Sequence, residues 1–256
     1  MPQKVPPFEF TEDALRLRQF IFEYWCGRGV PPNLRNIHEG IGLSRRQTSQ
    51  ALKQLQLGII VVVNQDSQNC DILKAPPFSA FPSQVELYID DKFHSYIGCA
   101  SEAMAVSNMP PFKGKECRLE AFCACCLAPI TLIDKDFKLL SCDPGGVLWH
   151  VNKSPWDWGN VDMGSMCDAM NFVLNAEHAD NYERQTGTRG VWCPVEAGKE
   201  FVRYTAEIRM WDYHWPPGTM DPALIIERFR GLGCDVSVWD FEPAPGVQAS
   251  GAVSRS

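Results

Sequence analysis

Ser44-Arg45-Arg46-Gln47, continuing through Ala51, Leu55, Leu57 and Gly58 into Ile59-Ile60-Val61-Val62-Val63, sets the architecture of the N-terminal third of the chain. A Ser with Gln three residues later is a capping box, and it predicts a helix with Ala51 and Leu55 facing inward. Gly58 stops that helix, and the β-branched run Ile59 to Val63 predicts a strand. Asn64 to Asn69 is a polar turn, from which Asp71-Ile72-Leu73 returns as a second strand. Upstream, Thr11-Glu12-Asp13 opens a first helix with acids in its first turn. Leu15, Phe20, Ile21 and Tyr24 follow at helical spacing, and Gly27, Gly29 and Pro31-Pro32 end it. Asn33 caps a short second helix through Ile37, closed by Gly40 or Gly42. Three helices and a β-hairpin are the plan of a winged helix-turn-helix, assigned to residues 1–78.

The third helix carries Arg45, Arg46 and Lys53 and no acid. That pattern fits a recognition helix in a DNA groove or the solvated basic face of a packing domain. Residues 1–75 hold nine Lys and Arg against seven Asp and Glu, whereas the whole chain stands at -7. An acidic chain is poorly suited to neutralising phosphates, which favours the packing domain over DNA as a partner.

After Val63 the reading changes. Ala75 to Pro82 has the composition of a linker. Val85 to Ile89 and Phe93 to Ile97 read as strands about an Asp90-Asp91 turn, and Cys99 to Val106 is helical up to Pro110-Pro111. Cys117 to Phe122, Pro129 to Ile133, Val147 to Val151 and Met170 to Leu174 read as strands. Asn175 caps a helix ending at Gly187, Asp221 caps another from Pro222 to Phe229, and Cys234 to Phe241 reads as a final strand. Short strands interleaved with helices give an α+β class with a mixed sheet, assigned to residues 79–241, ahead of a small polar, flexible tail at 242–256.

The 256 residues are 45 % hydrophobic and 21 % charged, the balance of a globular chain with a buried core. No apolar run reaches membrane-spanning length, which gives no membrane partner, and the first residues lack a signal-peptide core, so a cytoplasmic location is expected. The eleven cysteines are then reduced thiols, most of them small buried hydrophobes.

Three segments carry thiol chemistry. In Gly98-Cys99-Ala100-Ser101-Glu102 a thiol at a helix start lies beside unpaired N–H groups, which favour thiolate, and Glu102 follows three residues on, on the same face. The same spacing also describes a capped helix over a buried thiol. Ser165-Met166-Cys167-Asp168 places a Cys at a strand entrance, from which it can project into a cleft. Phe122-Cys123-Ala124-Cys125-Cys126-Leu127-Ala128-Pro129 is the third. With Cys117 its thiols make either a zinc or copper(I) site or a buried inert cluster. The absence of paired C-x-x-C knuckles favours the inert cluster, and the five histidines form no recognisable ligand pattern with a Cys.

The order of these segments resembles the organomercurial (alkylmercury) lyases. In that family a helical, winged-helix-like domain precedes a catalytic domain with a C-A-x-D motif, a C-x-x-[TS]-G-x-P segment, and a later Cys before F-F-A-S and a helix. Cys99-Ala100-Ser101-Glu102 stands for the first motif, Cys123 to Pro129 for the second, and Cys167 with Phe172-Val173-Leu174-Asn175 for the third. The resemblance runs from the first helix to about Glu200. It implies carbon–mercury protonolysis with Cys99, Glu102 and Cys167 as catalytic residues and as the groups that hold mercury transiently, and a structural role for Cys123. Thiolate is the soft ligand for a soft cation. One thiolate binds R–Hg⁺, a second pushes electron density onto carbon, and a carboxylic acid protonates it. Cys99 attacks first, Glu102 takes the thiol proton and returns it to carbon, and Cys167 is the second thiolate. Phe93, Tyr96 and Trp158 would supply an apolar wall that favours the protonated carboxyl. No resident cofactor is expected, Hg(II) being the bound product. The partners implied are an organomercurial substrate and, for the product, cellular thiols or a mercuric reductase.

Two positions depart from the family pattern. Glu102 replaces the usual Asp, moving the carboxyl by one methylene, and Cys126-Leu127 replaces Thr-Gly. Trp211, His214, Trp215 and Trp239 lie beyond the resemblance and either extend the domain or cover the site. These departures leave three other readings: an enzyme with a Cys nucleophile and Glu acid/base acting on a non-mercury substrate, a soft-metal-responsive winged-helix regulator, and a pure metal carrier.

Overall fold

The computed structural model describes residues 10–160, 163–205, 211 and 221–240. The expected tail at 242–256, together with His214 and Trp215, lies outside them. The fold is α+β: helices at the N-terminus followed by antiparallel sheets. Three helices come first, α1 (Glu12–Arg28), α2 (Leu34–Ile41) and α3 (Arg45–Leu57). Their starts follow the sequence: Thr11 accepts from the Ala14 N–H, and Asn33 and Ser44 each close a capping box with residues Asn36 and Gln47. The buried face of α1 is Ala14, Leu17, Ile21 and Trp25, whereas Leu15 is 47 % exposed. The expected stripe through Leu15, Phe20 and Tyr24 is therefore rotated by about one position. Trp25 stacks on Phe78 at 5.5 Å, and Phe20 and Tyr24 are left to pair at the rim of that face.

An eight-stranded sheet follows in the order β1-β2-β3-β5-β4-β6-β7-β8. Its strands are β1 (Val62–Val63), β2 (Ile72–Ala75), β3 (Phe78–Ser79), β4 (Val85–Ile89), β5 (Lys92–Ile97), β6 (Glu116–Phe122), β7 (Pro129–Lys135) and β8 (Lys138–Asp143). Every described pairing is antiparallel, so the sheet expected to be mixed is not. Two-residue turns join β2 to β3, β4 to β5 and β7 to β8, and parallel pairing would need longer crossovers. The run from Ile59 is strand only at Val62–Val63, because Ile59 sits at φ 58 and the Ile60 N–H folds back to Leu55 O. The expected linker, Ala75 to Pro82, is built into the sheet: β3 pairs with both β2 and β5, and Phe78 is fully buried. Gly29 is needed where α1 ends, since at φ 73 a β-carbon would fall 2.0 Å from His94 O on β5.

A second sheet, in the order β10-β9-β11, contains β9 (Leu148–Val151), β10 (Met170–Val173) and β11 (Val191–Pro194). Five further helices complete the described chain: α4 (Ala100–Ala105), α5 (Met163–Asp168), α6 (Ala176–Thr186), α7 (Val195–Thr205) and α8 (Pro222–Gly231). Asn175, Gly187 and Asp221 cap α6 and α8 as read from sequence. The strand expected over Cys234 to Phe241 is not formed in the described part. Asp235 accepts from the Ser237 N–H at 3.0 Å, which turns the chain into a short 3₁₀ segment, Ser237–Trp239, and buries Trp239 against Phe229. No helix among the described residues is long and apolar enough to cross a membrane.

Candidate functional site

Strand β5 ends at Ile97, Gly98 follows, and Cys99 is the N-cap residue of α4. The Cys99 side chain makes no capping hydrogen bond, so its sulfur is left for other chemistry, and it is 1 % exposed. Glu102 stands in the first turn of the same helix. Cys167, 2 % exposed, is in the last turn of α5 rather than at the strand entrance expected for it, three residues before β10. Its Sγ donates to Glu102 Oε1 at 3.4 Å. One ligand atom each from Cys99, Glu102 and Cys167 lies within 4.8 Å of the other two. Two buried sulfurs and a carboxylate, drawn from elements far apart in sequence, thus share one small volume.

The electrostatics hold Cys167 as a thiol. Its pKa is pushed well above the usual thiol range, first by its hydrogen bond with Cys99, then by burial and by the neighbouring Glu102 carboxylate, with Lys74 opposing. Lys74 comes from β2. It is 6 % exposed, with Nζ 3.9 Å from Asp168 Oδ1 and 5.5 Å from the Phe81 ring centre. A cation buried this deeply is sparingly compensated, which marks the spot as one where negative charge is accommodated.

Both helices that carry the site are anchored by buried polar groups. Lys199 of α7 donates to Met104 O near the end of α4 at 3.0 Å and pairs with buried Asp134 of β7. Ser107 Oγ also donates to Asp134, at 2.7 Å, and accepts from the Phe137 N–H at 3.1 Å. Burial lowers the Lys199 pKa, and Asp134 opposes that shift. On the other side, buried Asn171 of β10 donates to Asp168 O at 3.0 Å and to Tyr182 Oη at 3.2 Å, and accepts from Gln84 Nε2 at 2.8 Å. These bonds fix the end of α5 beside Cys167.

Gly98, Lys74, Asn171 and Lys199 escaped the sequence reading. Gly98 had a signal, a glycine directly before the candidate Cys, and a β-carbon there would lie 2.2 Å from Glu102 Oε2. Lys74 had one too, since it shares a strand face with buried Ile72. Of the expected apolar wall, Trp158 is buried, but Phe93 is 49 % exposed in edge contacts with Tyr88 and Tyr96, so it does not line a dry pocket.

A second cluster corrects the expectation that no histidine joins a Cys and that the thiols of this turn are all buried. Cys123 Sγ lies 3.5 Å from His178 Nδ1, and with Cys126 the three ligand atoms fall within 4.8 Å of one another. Cys123 is buried but Cys126 is exposed, and Cys117 is not part of the group. The pairing joins the β6–β7 turn to α6, a meeting that no local spacing announces.

Residues 78–207 match the family model for alkylmercury lyase, MerB. No curated protein matches the chain. Among solved structures, the mercury-bound form of MerB2 is similar, with 15 % identity and a TM-score of 0.60 over 78 % of this chain and 92 % of that one. At that identity the likeness is one of fold.

Proposed function

The chain belongs to the alkylmercury lyase family, and from that premise we propose that it cleaves the carbon–mercury bond of an organomercurial by protonolysis at Cys99, Glu102 and Cys167. The observation that carries this reading is the convergence of two buried sulfurs and a carboxylate within 4.8 Å. Cys99 replaces the ligand on R–Hg⁺ and loses its proton to that ligand. Cys167 passes its proton to Glu102 along the 3.4 Å contact and adds its thiolate to the metal. With two soft donors on mercury the C–Hg electron pair moves to carbon, and Glu102 delivers the proton there. The hydrocarbon leaves, Hg(II) stays bound to two sulfurs, and Glu102 is a carboxylate again. The raised pKa of Cys167 supports its role as the proton source, because a thiol already ionised at neutral pH would leave Glu102 nothing to relay. Thiols of the cell or a mercuric reductase would take the product.

The test is single-turnover release of benzene from phenylmercury with excess small thiol present. The wild type releases it, Cys99→Ser and Cys167→Ser do not, and Glu102→Gln holds mercury without releasing hydrocarbon. Tight mercury binding by the wild type with no hydrocarbon would overturn protonolysis in favour of a metal carrier. Covalent labelling of Cys99 by a metal-free electrophilic substrate, with turnover, would favour the non-mercury enzyme.

A further inference from the structure

We infer that Cys123, Cys126 and His178 form a second metal site, separate from Cys99 and Cys167, for a zinc-class divalent cation. Cys123 and Cys126 are spaced C-x-x-C in the turn between β6 and β7. The turn is closed by the Leu127 N–H donating to Cys123 O and the Cys123 N–H donating to Ala128 O, both at 2.8 Å. Leu127 holds φ 64 while 70 % exposed. A bulky residue in the left-handed region is strained by its β-carbon, and this side chain gains little burial in return. The turn holds the Cys123 and Cys126 sulfurs within 4.8 Å of each other, as a metal knuckle requires. The third donor comes from α6, where His178 sits in the first turn and its N–H is held by Asn175 Oδ1 at 3.1 Å.

The geometry is that of a coordination sphere. Zn–S and Zn–N bonds at a tetrahedral angle place S and N about 3.6 Å apart, and Cys123 Sγ stands 3.5 Å from His178 Nδ1. An ordinary core contact would not need a second sulfur within 4.8 Å of both. Cys125, inside the same turn, is directed elsewhere: its Sγ lies 3.8 Å from Gln185 Nε2. Two thiolates and an imidazole are the donor set of zinc-class ions, and binding displaces one proton from each thiol, which leaves the site neutral. Three protein donors leave a fourth position, and the exposure of Cys126 opens it to water or a small thiol. The Ala124 N–H donates to Phe172 O on β10 at 2.9 Å, so a metal here would brace the strand that follows Cys167.

Co(II) is the probe, because thiolate ligands give it a near-ultraviolet charge-transfer band and tetrahedral sites give intense visible bands. The full chain, reduced and metal-free, is titrated in a Cys99→Ser/Cys167→Ser background that removes the other thiol pair. One equivalent of Co(II) binds with both signatures, and Zn(II) displaces it. Adding Cys126→Ala or His178→Ala lowers Co(II) affinity by more than the ~10–100-fold that losing an outer-shell partner costs. Cys126 is exposed, so that variant tests the site without disturbing the core. Absence of a thiolate band in the background protein overturns the proposal. So does a band that survives both substitutions, since another thiol pair would then hold the metal.

Discussion

Glu102 packs against the one backbone position beside Cys99 that has no side chain: a β-carbon on Gly98 would lie 2.2 Å from Glu102 Oε2. The clash would be with the end of a flexible side chain, so the fold can absorb it by moving the carboxyl. Moving the carboxyl breaks its 3.4 Å contact with Cys167. Gly98→Ala is therefore expected to lower single-turnover protonolysis by roughly 100-fold, the scale of a 1 Å misplacement, while mercury binding and the unfolding midpoint change little. A loss of stability as large as the loss of rate would show that Gly98 serves the fold alone.

Lys74 is the cation that offsets the negative charge around Cys167. Its removal leaves the thiol harder to ionise, so the pKa of Cys167 rises further. For Lys74→Met the alkaline limb of the pH profile, where Cys167 loses the proton that it must pass to Glu102, should therefore shift to higher pH. A uniformly depressed profile with an unmoved midpoint would mean that Lys74 supports packing against Phe81 and no more.

What could be read in the sequence follows from how local each determinant is. The caps at Thr11, Asn33, Ser44, Asn175 and Asp221 are written within a few residues and all appear in the structure. The Asp90-Asp91 turn is likewise local, with both residues at positive φ. The hairpin into β8 is not, because its turn is Asp136-Phe137, and Phe is a poor residue for φ 65. It is held by partners distant in sequence: Lys199 and Arg203 each lie 4.4 Å from the Phe137 ring centre, and Ser107 accepts its N–H. Cys99 and Glu102 were legible as a pair on one helix. That Cys167 joins them depends on the Asn171 bonds and on packing between sheets, and the motif order pointed to it where spacing did not. His178 illustrates the opposite case, a ligand brought to Cys123 with no pattern in the chain to announce it.

The buried pair Lys199–Asp134 joins α7, β7 and the end of α4. Both side chains are almost fully buried, so removing one strands the other without solvent. Lys199→Met should cost about 3–5 kcal/mol in urea unfolding. The double variant Lys199→Met/Asp134→Leu should recover most of that, because no isolated charge remains. Equal destabilisation in the single and double variants would mean that the lost bond to Met104 O, and not the stranded carboxylate, sets the cost.

Cys117 offers a pH test of the core. It is fully buried on β6, and burial first, then the charge of Asp134, push its thiol up to about 12. The unfolded chain ionises a thiol near pH ~8.5. The folded pKa is the higher of the two, so the native state holds the proton that the unfolded state releases. The contribution to stability is complete below the unfolded pKa and is lost as pH rises towards 12. At 1.36 kcal/mol per pH unit for one proton, Cys117 should account for a loss on the order of 2 kcal/mol between pH 9 and 10.5. Urea unfolding in the presence of a non-thiol reductant would show stability falling over that interval, and Cys117→Val would flatten the fall by about one proton's slope. Other buried thiols such as Cys26, also pushed up to about 12, keep the slope from vanishing. An unchanged slope in the variant would mean that Cys117 ionises within the fold, through an opening of β6 that lets water reach it.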